Sequence, residues 1–399
     1  VHAIWTLGFV ALAAVAQGQS ADPAKLGALR TQFQAYVDAG KISGAVTLVA
    51  HRGKVVSVEA VGFQDVERKL PMKPDTIFRI ASMTKPVTAV GILMLEDDGK
   101  LSIDDPVEKH LPEFRGQRLV KSKTADEIVL VKAPRPITLR DLLTHTSGLP
   151  SSPPPGLAEL YGRRHRTLAE AVLAFSQQPL DFEPGTKWSY CNAGIDTLGR
   201  VIEVVSGRSY EQFLQERLFD PLGMRDTCFY PTADQRARLT PVYKPDGGKV
   251  AKAESFLGPP PDAKFPLPAG GLLSTAADYV KVCQMLLDRG THAGRRILSE
   301  AAVEKMTRVQ TAELTAGFTG SMGFGLGVGV VRRPEGVTEM LSPGTYGHGG
   351  AFGTQAWIDP GKQMIFILMI QMTGIGNADG SEFRKTLQRI AVDAMSASK

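Results

Sequence analysis

Strand-like alternation lies at both ends of this chain and helix-start signals fill its middle, a split that restricts the fold more than any other feature. A helical pattern over residues 25–39 precedes two alternating stretches, 44–49 and 54–62, with His51-Arg52-Gly53 as the turn of a hairpin. Further strand patterns cover 324–331, 354–358 and 363–371, ahead of a closing helix over 382–395. Between these ends, Thr138, Thr167-x-x-Glu170, Ser209-x-x-Gln212 and Thr275-x-x-Asp278 each open a helical pattern. Apolar spacing at Val280, Val282, Cys283, Leu286 and Leu287 supports the last of them. The two ends are therefore expected to build one sheet and the middle a mainly helical body. Proline-rich loops at 150–156 and 258–271 interrupt the middle and are candidate walls of a cleft.

With 399 residues, 43% hydrophobic and 22% charged, the chain supports a large core. Its 46 basic and 41 acidic residues leave a net charge of only +5, and no cluster of Lys and Arg interleaves with aromatics, which argues against a nucleic-acid partner. Cys191, Cys228 and Cys283 are odd in number and widely spaced, without Cys-x-x-Cys or His-Glu-x-x-His, so neither a disulfide framework nor a zinc site is indicated. Free, mostly buried thiols are expected, with no metal and no cofactor. Residues 4–16 are almost wholly apolar, end on Ala14-Val15-Ala16 and precede a polar run, which resembles a secretory signal over 1–20. A periplasmic or secreted protein is expected on that basis, although only His2 stands where a positive n-region belongs. The other reading is a short apolar tail or membrane anchor; sixteen residues is short for a spanning helix. Residues 364–370, also apolar, fit a buried strand.

Three elements carry chemistry. Ser82-Met83-Thr84-Lys85 sets a serine and a lysine three residues apart on one helix face, where an amine lowers the cost of deprotonating a hydroxyl. Ser-x-x-Lys alone arises by chance about once or twice in a chain of this length. Pro86 is tolerated comfortably only in a first helical turn, so a helix running through 90–95 begins close to Ser82. Partial positive charge and free N–H groups there favour an alkoxide and help hold an oxyanion. A plainer reading makes Ser82 a helix cap and Lys85 a solvated first-turn residue. The second element, Tyr190-Cys191-Asn192, precedes a helical pattern over 195–205. A phenol serves as general base only if a cation lowers its pKa, and Lys85 is the candidate; Asn192 offers its amide to that cation and to a substrate carbonyl. Structurally, Tyr190 would be a half-buried aromatic and Asn192 a helix cap. The third element, Tyr346-Gly347-His348-Gly349-Gly350-Ala351, is glycine-dense and leads into the strand at 354–358, so that a ligand can lie against its backbone. An ordinary turn with a surface histidine is the alternative. His51-Arg52-Gly53 repeats the His-x-Gly pattern in a hairpin turn ahead of the serine and is the decoy.

Together with Leu142-Leu143-Thr144-His145-Thr146-Ser147-Gly148-Leu149 and Ala269-Gly270-Gly271-Leu272-Leu273-Ser274, these elements stand in an order that resembles the serine beta-lactamase-related family. That family includes class C beta-lactamases, DD-peptidases and family VIII carboxylesterases, and the similarity spans roughly residues 25–395. The resemblance implies an α/β (α+β) fold: an antiparallel sheet flanked by helices, built from both termini, with an inserted mainly helical domain. Residues 21–80 and 290–399 would form the sheet domain and 81–289 the helical one, with the active site at their interface. It implies Ser82 as the acylated nucleophile, Lys85 as its activator and Tyr190 as the proton carrier to the leaving group and later to the deacylating water. Asn192, His348, Gly349 and Gly350 would bind substrate, and the backbone N–H groups of Ser82 and Ala351 would form the oxyanion hole.

Two departures bear on substrate. Class C beta-lactamases and DD-peptidases usually carry Lys-Thr-Gly where this chain has His348-Gly349-Gly350, and Cys191 stands where serine is common. A neutral imidazole attracts the carboxylate of beta-lactams and peptidoglycan stems less than an ammonium does. His-x-Gly is familiar among the esterase members of the family, so the expected activity is hydrolysis of small-molecule, short-chain carboxylic esters, with beta-lactams as weak secondary substrates. Beta-lactamase, DD-peptidase, amidase or acyltransferase chemistry would use the same residues. The non-enzyme alternative is an inactive penicillin-recognising or scaffold module, which the joint presence of Ser82, Lys85 and Tyr190 opposes.

Overall fold

The computed structural model describes residues 22–151, 164–255, 257–258 and 260–395. The expected leader over 1–20, and residues 152–156 of the first proline-rich loop, lie outside the described residues. Helix α1 (Pro23–Asp38) starts on Asp22, whose carboxylate accepts the N–H groups of Ala24 and Lys25. Strands β1 (Gly44–His51) and β2 (Lys54–Asp65) follow as the expected hairpin, and β3 (Leu70–Pro71) pairs with β2. Among the helices of the middle, α2 (Thr84–Asp97), α3 (Asn192–Ser206) and α4 (Ala276–Leu287) bear most on the site and the sheet. Strands β4 (Met322–Phe324), β5 (Gly329–Val331), β6 (Tyr346–Gly349), β7 (Gln355–Asp359) and β8 (Met364–Met369) then lead to the closing helix α5 (Glu382–Met395).

These strands form one antiparallel sheet in the order β4-β5-β6-β7-β8-β1-β2-β3. Its seam is the pairing of the N-terminal β1 with the C-terminal β8, from Val46 opposite Met369 to His51 opposite Met364. Alternation sets the two faces. Phe366 and Leu368 of β8 join Val49 of β1 under Leu29 and Phe33 of α1 and Leu387 of α5. Ile365 and Ile367 join Val46 and Leu48 on the opposite face, under residues of α2 and α4. Because β8 is covered on both sides it reads as a continuous apolar run, each large side chain contributing about 1.5–3 kcal/mol by burial.

The four threonine and serine start signals all work as caps. Thr138, Thr167, Ser209 and Thr275 each accept the backbone N–H three residues on, at 3.1–3.3 Å. Elsewhere the structure differs from the sequence-based expectation. The stretch 324–331 is the turn and arms of a hairpin, because Gly327 takes a φ of 72° and the N–H of Gly325 bonds to the carbonyl of Val328. Residues 346–349 are a strand in the sheet interior, not a turn; glycine masks the strand signal, but β5 and β7 pair with it on either side. Two hairpins, Arg118–Lys123 with Ile128–Lys132 and Val242–Asp246 with Lys249–Ala253, interrupt the helical middle. Helix α4 packs on β1, β7 and β8. Among the described residues no helix is long and apolar enough to cross a membrane.

Candidate active site

Ser82 lies in a short 3-10 turn, Ala81–Met83, that runs directly into α2. Ala81 is held in the left-handed region, φ 47°, at a cost of roughly 1–2 kcal/mol for a residue with a Cβ. Neighbours hold the turn in place. The N–H of Ile80 bonds to the carbonyl of Leu272 at 3.1 Å, Thr84 Oγ1 donates to the carbonyl of Ala81 at 2.7 Å, and Tyr279 OH donates to the carbonyl of Met83 at 2.7 Å. Met83 occupies the cap position of α2 and no side chain caps it, so Ser82 is not a helix cap. Lys85 is fully buried and not a solvated first-turn residue.

The Lys85 Nζ has three partners: the carbonyl of Ala269 at 2.7 Å, Asn192 Oδ1 at 2.8 Å and Ser82 Oγ at 3.1 Å. It also lies 4.6 Å from the centroid of the Tyr190 ring, and Tyr190 and Ser82 line the same cavity. Ser82 and Tyr190, 108 positions apart, thus meet in one cleft. Asn192 is the first residue of α3 and Cys191 precedes it as the cap position, so the amide is left to face Lys85. Burial lowers the Lys85 pKa to about 7, against the opposing pull of the Asp196 carboxylate. Burial moves the Tyr190 phenol upward, only partly offset by the neighbouring Ser82 hydroxyl. The resting site therefore runs opposite to the expectation of a depressed phenol: the amine, not the phenol, is shifted toward neutral pH.

On the far side stands β6. Opposite a carbonyl, the His348 Nδ1 must carry the proton, and it donates to the carbonyl of Gly349 at 2.6 Å. Nε2 is left as a buried acceptor without a protein partner. Burial, reinforced by Lys85 and opposed by Asp379, lowers His348 to about 4, so its imidazole is neutral at physiological pH. The histidine is buried and not on a surface turn; its ring centroid is 6.0 Å from that of Tyr190. Gly350 lets this strand end reach the serine turn, since a Cβ there would lie 2.4 Å from the carbonyl oxygen of Ile80. The decoy His51 ends β1 in the hairpin with β2.

Ser82 and Ala351 line two cavities that meet at the serine. One, about 300 Å³, is walled by Tyr190, Phe318, His348 and Asp379 among others. The other, about 80 Å³, is mostly apolar and walled by Leu257, Leu267 and Ala269. Leu267, Ala269 and Gly270, from the proline-rich stretch, thus form part of the cleft wall. A larger cavity of about 530 Å³ between Asp97, Arg217 and Arg296 contains none of these residues.

Several contributors had no role assigned from sequence. The ring of His145 packs 4.6 Å from that of Tyr190, and its Nδ1 accepts the N–H of Cys191 at 3.2 Å, which positions the Tyr-Cys-Asn segment. Asp196 stands one helical turn after Asn192, a spacing that could have marked it. Asp379 lies in a loop that carries no sequence signal. The three cysteines are unpaired, and burial pushes the Cys191 thiol up to about 12. Among the described residues no group of three or more His, Cys, Asp or Glu could hold a metal ion.

Residues 29–388 match the family model described as Beta-lactamase, and the chain belongs to that family. More narrowly, it is a serine hydrolase with esterase and acyltransferase relatives. A lovastatin esterase from Penicillium rubens is 35% identical over 288 residues, covering 69% of this chain and 71% of that protein. Esterase EstB from Burkholderia gladioli is 28% identical over 376 residues, covering 88% and 91%. The solved structure of EstCE1, a hydrolase with promiscuous acyltransferase activity, is 27% identical with a TM-score of 0.76, covering 94% of this chain and 98% of that one.

Proposed function

We propose that this protein hydrolyses short-chain carboxylic esters through an acyl-enzyme on Ser82. Neutral Lys85 keeps two N–H bonds on fixed acceptors, Ala269 and Asn192, and turns its lone pair to the hydroxyl of Ser82 at 3.1 Å. That arrangement, in an amine whose pKa is about 7, is the observation that carries the reading. As Ser82 Oγ attacks the ester carbonyl its proton passes to Lys85, and the Tyr190 phenol supplies a proton to the departing alkoxide. The phenolate regains its proton from Lys85. Water then attacks the acyl carbonyl, Lys85 and Tyr190 relay its proton to Ser82 Oγ as the acyl–oxygen bond breaks, and the carboxylic acid leaves. The backbone N–H groups of Ser82 and Ala351 hold the oxyanion in both halves.

The cavity of about 80 Å³ suits a short acyl chain, and the one of about 300 Å³ takes the alcohol. A neutral His348 offers no cation to a carboxylate, which favours simple esters over beta-lactams and D-Ala-D-Ala peptides. Turnover of p-nitrophenyl butyrate, a D-Ala-D-Ala peptide and nitrocefin tests this: the ester should be cleaved fastest, and Ser82→Ala should abolish the reaction. Silence of the wild type on the butyrate, or equal rates for wild type and Ser82→Ala, would overturn it.

A further inference from the structure

We propose that Asp379 is a charge filter of the cavity of about 300 Å³ beside Ser82, disfavouring esters whose alcohol carries a carboxylate and favouring those that carry a positive charge. The inference rests on the ester reading above and adds the class of alcohol. Asp379 belongs to the 3-10 turn Ala378–Gly380 ahead of α5, and residues 376–379 line the cavity together with Ser82 and Tyr190. Its carboxylate lies against the third-motif backbone: a Cβ on Gly349 would be 1.8 Å from Asp379 Oδ1. The acid thus occupies the neighbourhood of the segment where Lys-Thr-Gly enzymes present an ammonium.

The side chain is held there. Trp357 Nε1 donates to Gln355 Oε1 at 2.8 Å, which turns the Gln355 amide nitrogen toward Asp379 Oδ1 at 3.1 Å. Arg384 bonds the main-chain carbonyl of Asp379 at 2.9 Å while its guanidinium stacks on Trp357 at 3.6 Å. That arginine is buried and does not line the cavity. Around the cavity His348 is neutral, Tyr190 is a phenol and Lys85 is directed to Ser82, Asn192 and Ala269, so that among the described lining residues Asp379 is the charge that a bound alcohol meets. Phe318, 41% exposed, adds an aromatic ring at 4.9 Å from that of Tyr190. Asn377 Nδ2 donates to the carbonyl of Phe318 at 2.7 Å and ties the loop bearing the ring to the loop bearing the acid. An anion beside exposed aromatic faces is the usual chemistry for an ammonium group.

The test compares acetate esters of choline, of its neutral isostere 3,3-dimethylbutanol and of 3-hydroxypropanoate. In wild type kcat/KM should fall in that order by roughly tenfold per step, and added salt should narrow the spread. Asp379→Asn, which keeps an acceptor for Gln355, should compress the ranking, whereas Asp379→Glu should retain it. Labelling rates of Ser82 with fluorophosphonates bearing ammonium or carboxylate tails give a readout that does not need ester turnover. If no acetate is cleaved the ester reading falls, and the labelling order still decides the filter. Equal labelling by both tails, or an unchanged ranking in a folded Asp379→Asn, would overturn it.

Discussion

Asp196 Oδ1 accepts the main-chain N–H of Ala269 at 2.8 Å, and the carbonyl of the same Ala269 accepts from Lys85 Nζ at 2.7 Å. The buried carboxylate therefore acts on the amine twice, by fixing one of its acceptors and by raising its pKa against burial. Asn192 and Asp196, one turn apart on α3, address the same nitrogen. Asp196→Asn removes the charge and keeps an oxygen acceptor. The Lys85 pKa then falls further, and the acid limb of the kcat/KM profile should move down by about one pH unit. An unmoved limb would show that Asp196 has only a structural role.

Lys85 should leave a mark on stability. Its pKa in the folded chain, about 7, lies below its ordinary value of 10.5. Between these values the unfolded chain binds a proton that the folded chain does not, so this group's contribution to stability rises with pH across that window and its penalty is complete below it. The stability of wild type relative to Lys85→Met should therefore improve from pH 7 to pH 10 by up to a few kcal/mol. Urea melts at several pH values measure it; a flat difference would contradict the depressed amine.

Tyr190→Phe keeps the ring that packs on His145 and Phe318 and deletes the phenol hydroxyl from the cavity at Ser82. Turnover should fall by about 10²–10⁴ while the melting temperature changes little. Near-normal kcat would remove the phenol from the proton path.

Gly350→Ala places a methyl group 2.4 Å from the carbonyl of Ile80 and 2.1 Å from Thr354 Oγ1. Relief requires the end of β6 to move away from the serine turn. A loss of about 1–3 kcal/mol in stability is expected, together with a drop in kcat larger than any rise in KM, because the Ala351 N–H would shift with it. Thermal melts and steady-state kinetics read both effects.

His348 is neutral in the resting site because burial lowers it to about 4. The pH profile of kcat/KM should accordingly show no limb near 6.5 that His348→Gln abolishes; such a limb would mean that the imidazole is less buried than the structure places it.

Much of the fold is legible along the chain because its causes are local. Thr138, Thr167, Ser209 and Thr275 announce helix starts through hydrogen bonds that reach only a few residues. Alternation in β1 and β2, and the apolar run of β8, follow from which faces are covered. Strand β6 escaped because Gly347 and Gly349 carry no strand preference, and its pairing is imposed by neighbours on both sides. The hairpins of the middle escaped for the converse reason: they are short and largely exposed, so burial writes little periodicity into them.

The site divides in the same way. Residue types and their order mark Ser82, Lys85, Tyr190, Asn192 and the His348-Gly349-Gly350 segment as candidates, and the fold brings them together at one cleft. Which of them is shifted toward neutral pH was decided only by the fold, because desolvation and charge depend on what surrounds a group in space and not on what adjoins it in the chain. The same holds for the carbonyl of Ala269, the carboxylate of Asp196 and the acid of Asp379. None carries a local signature, and each acquires its part only when segments far apart in sequence are packed around one buried amine and one open cleft.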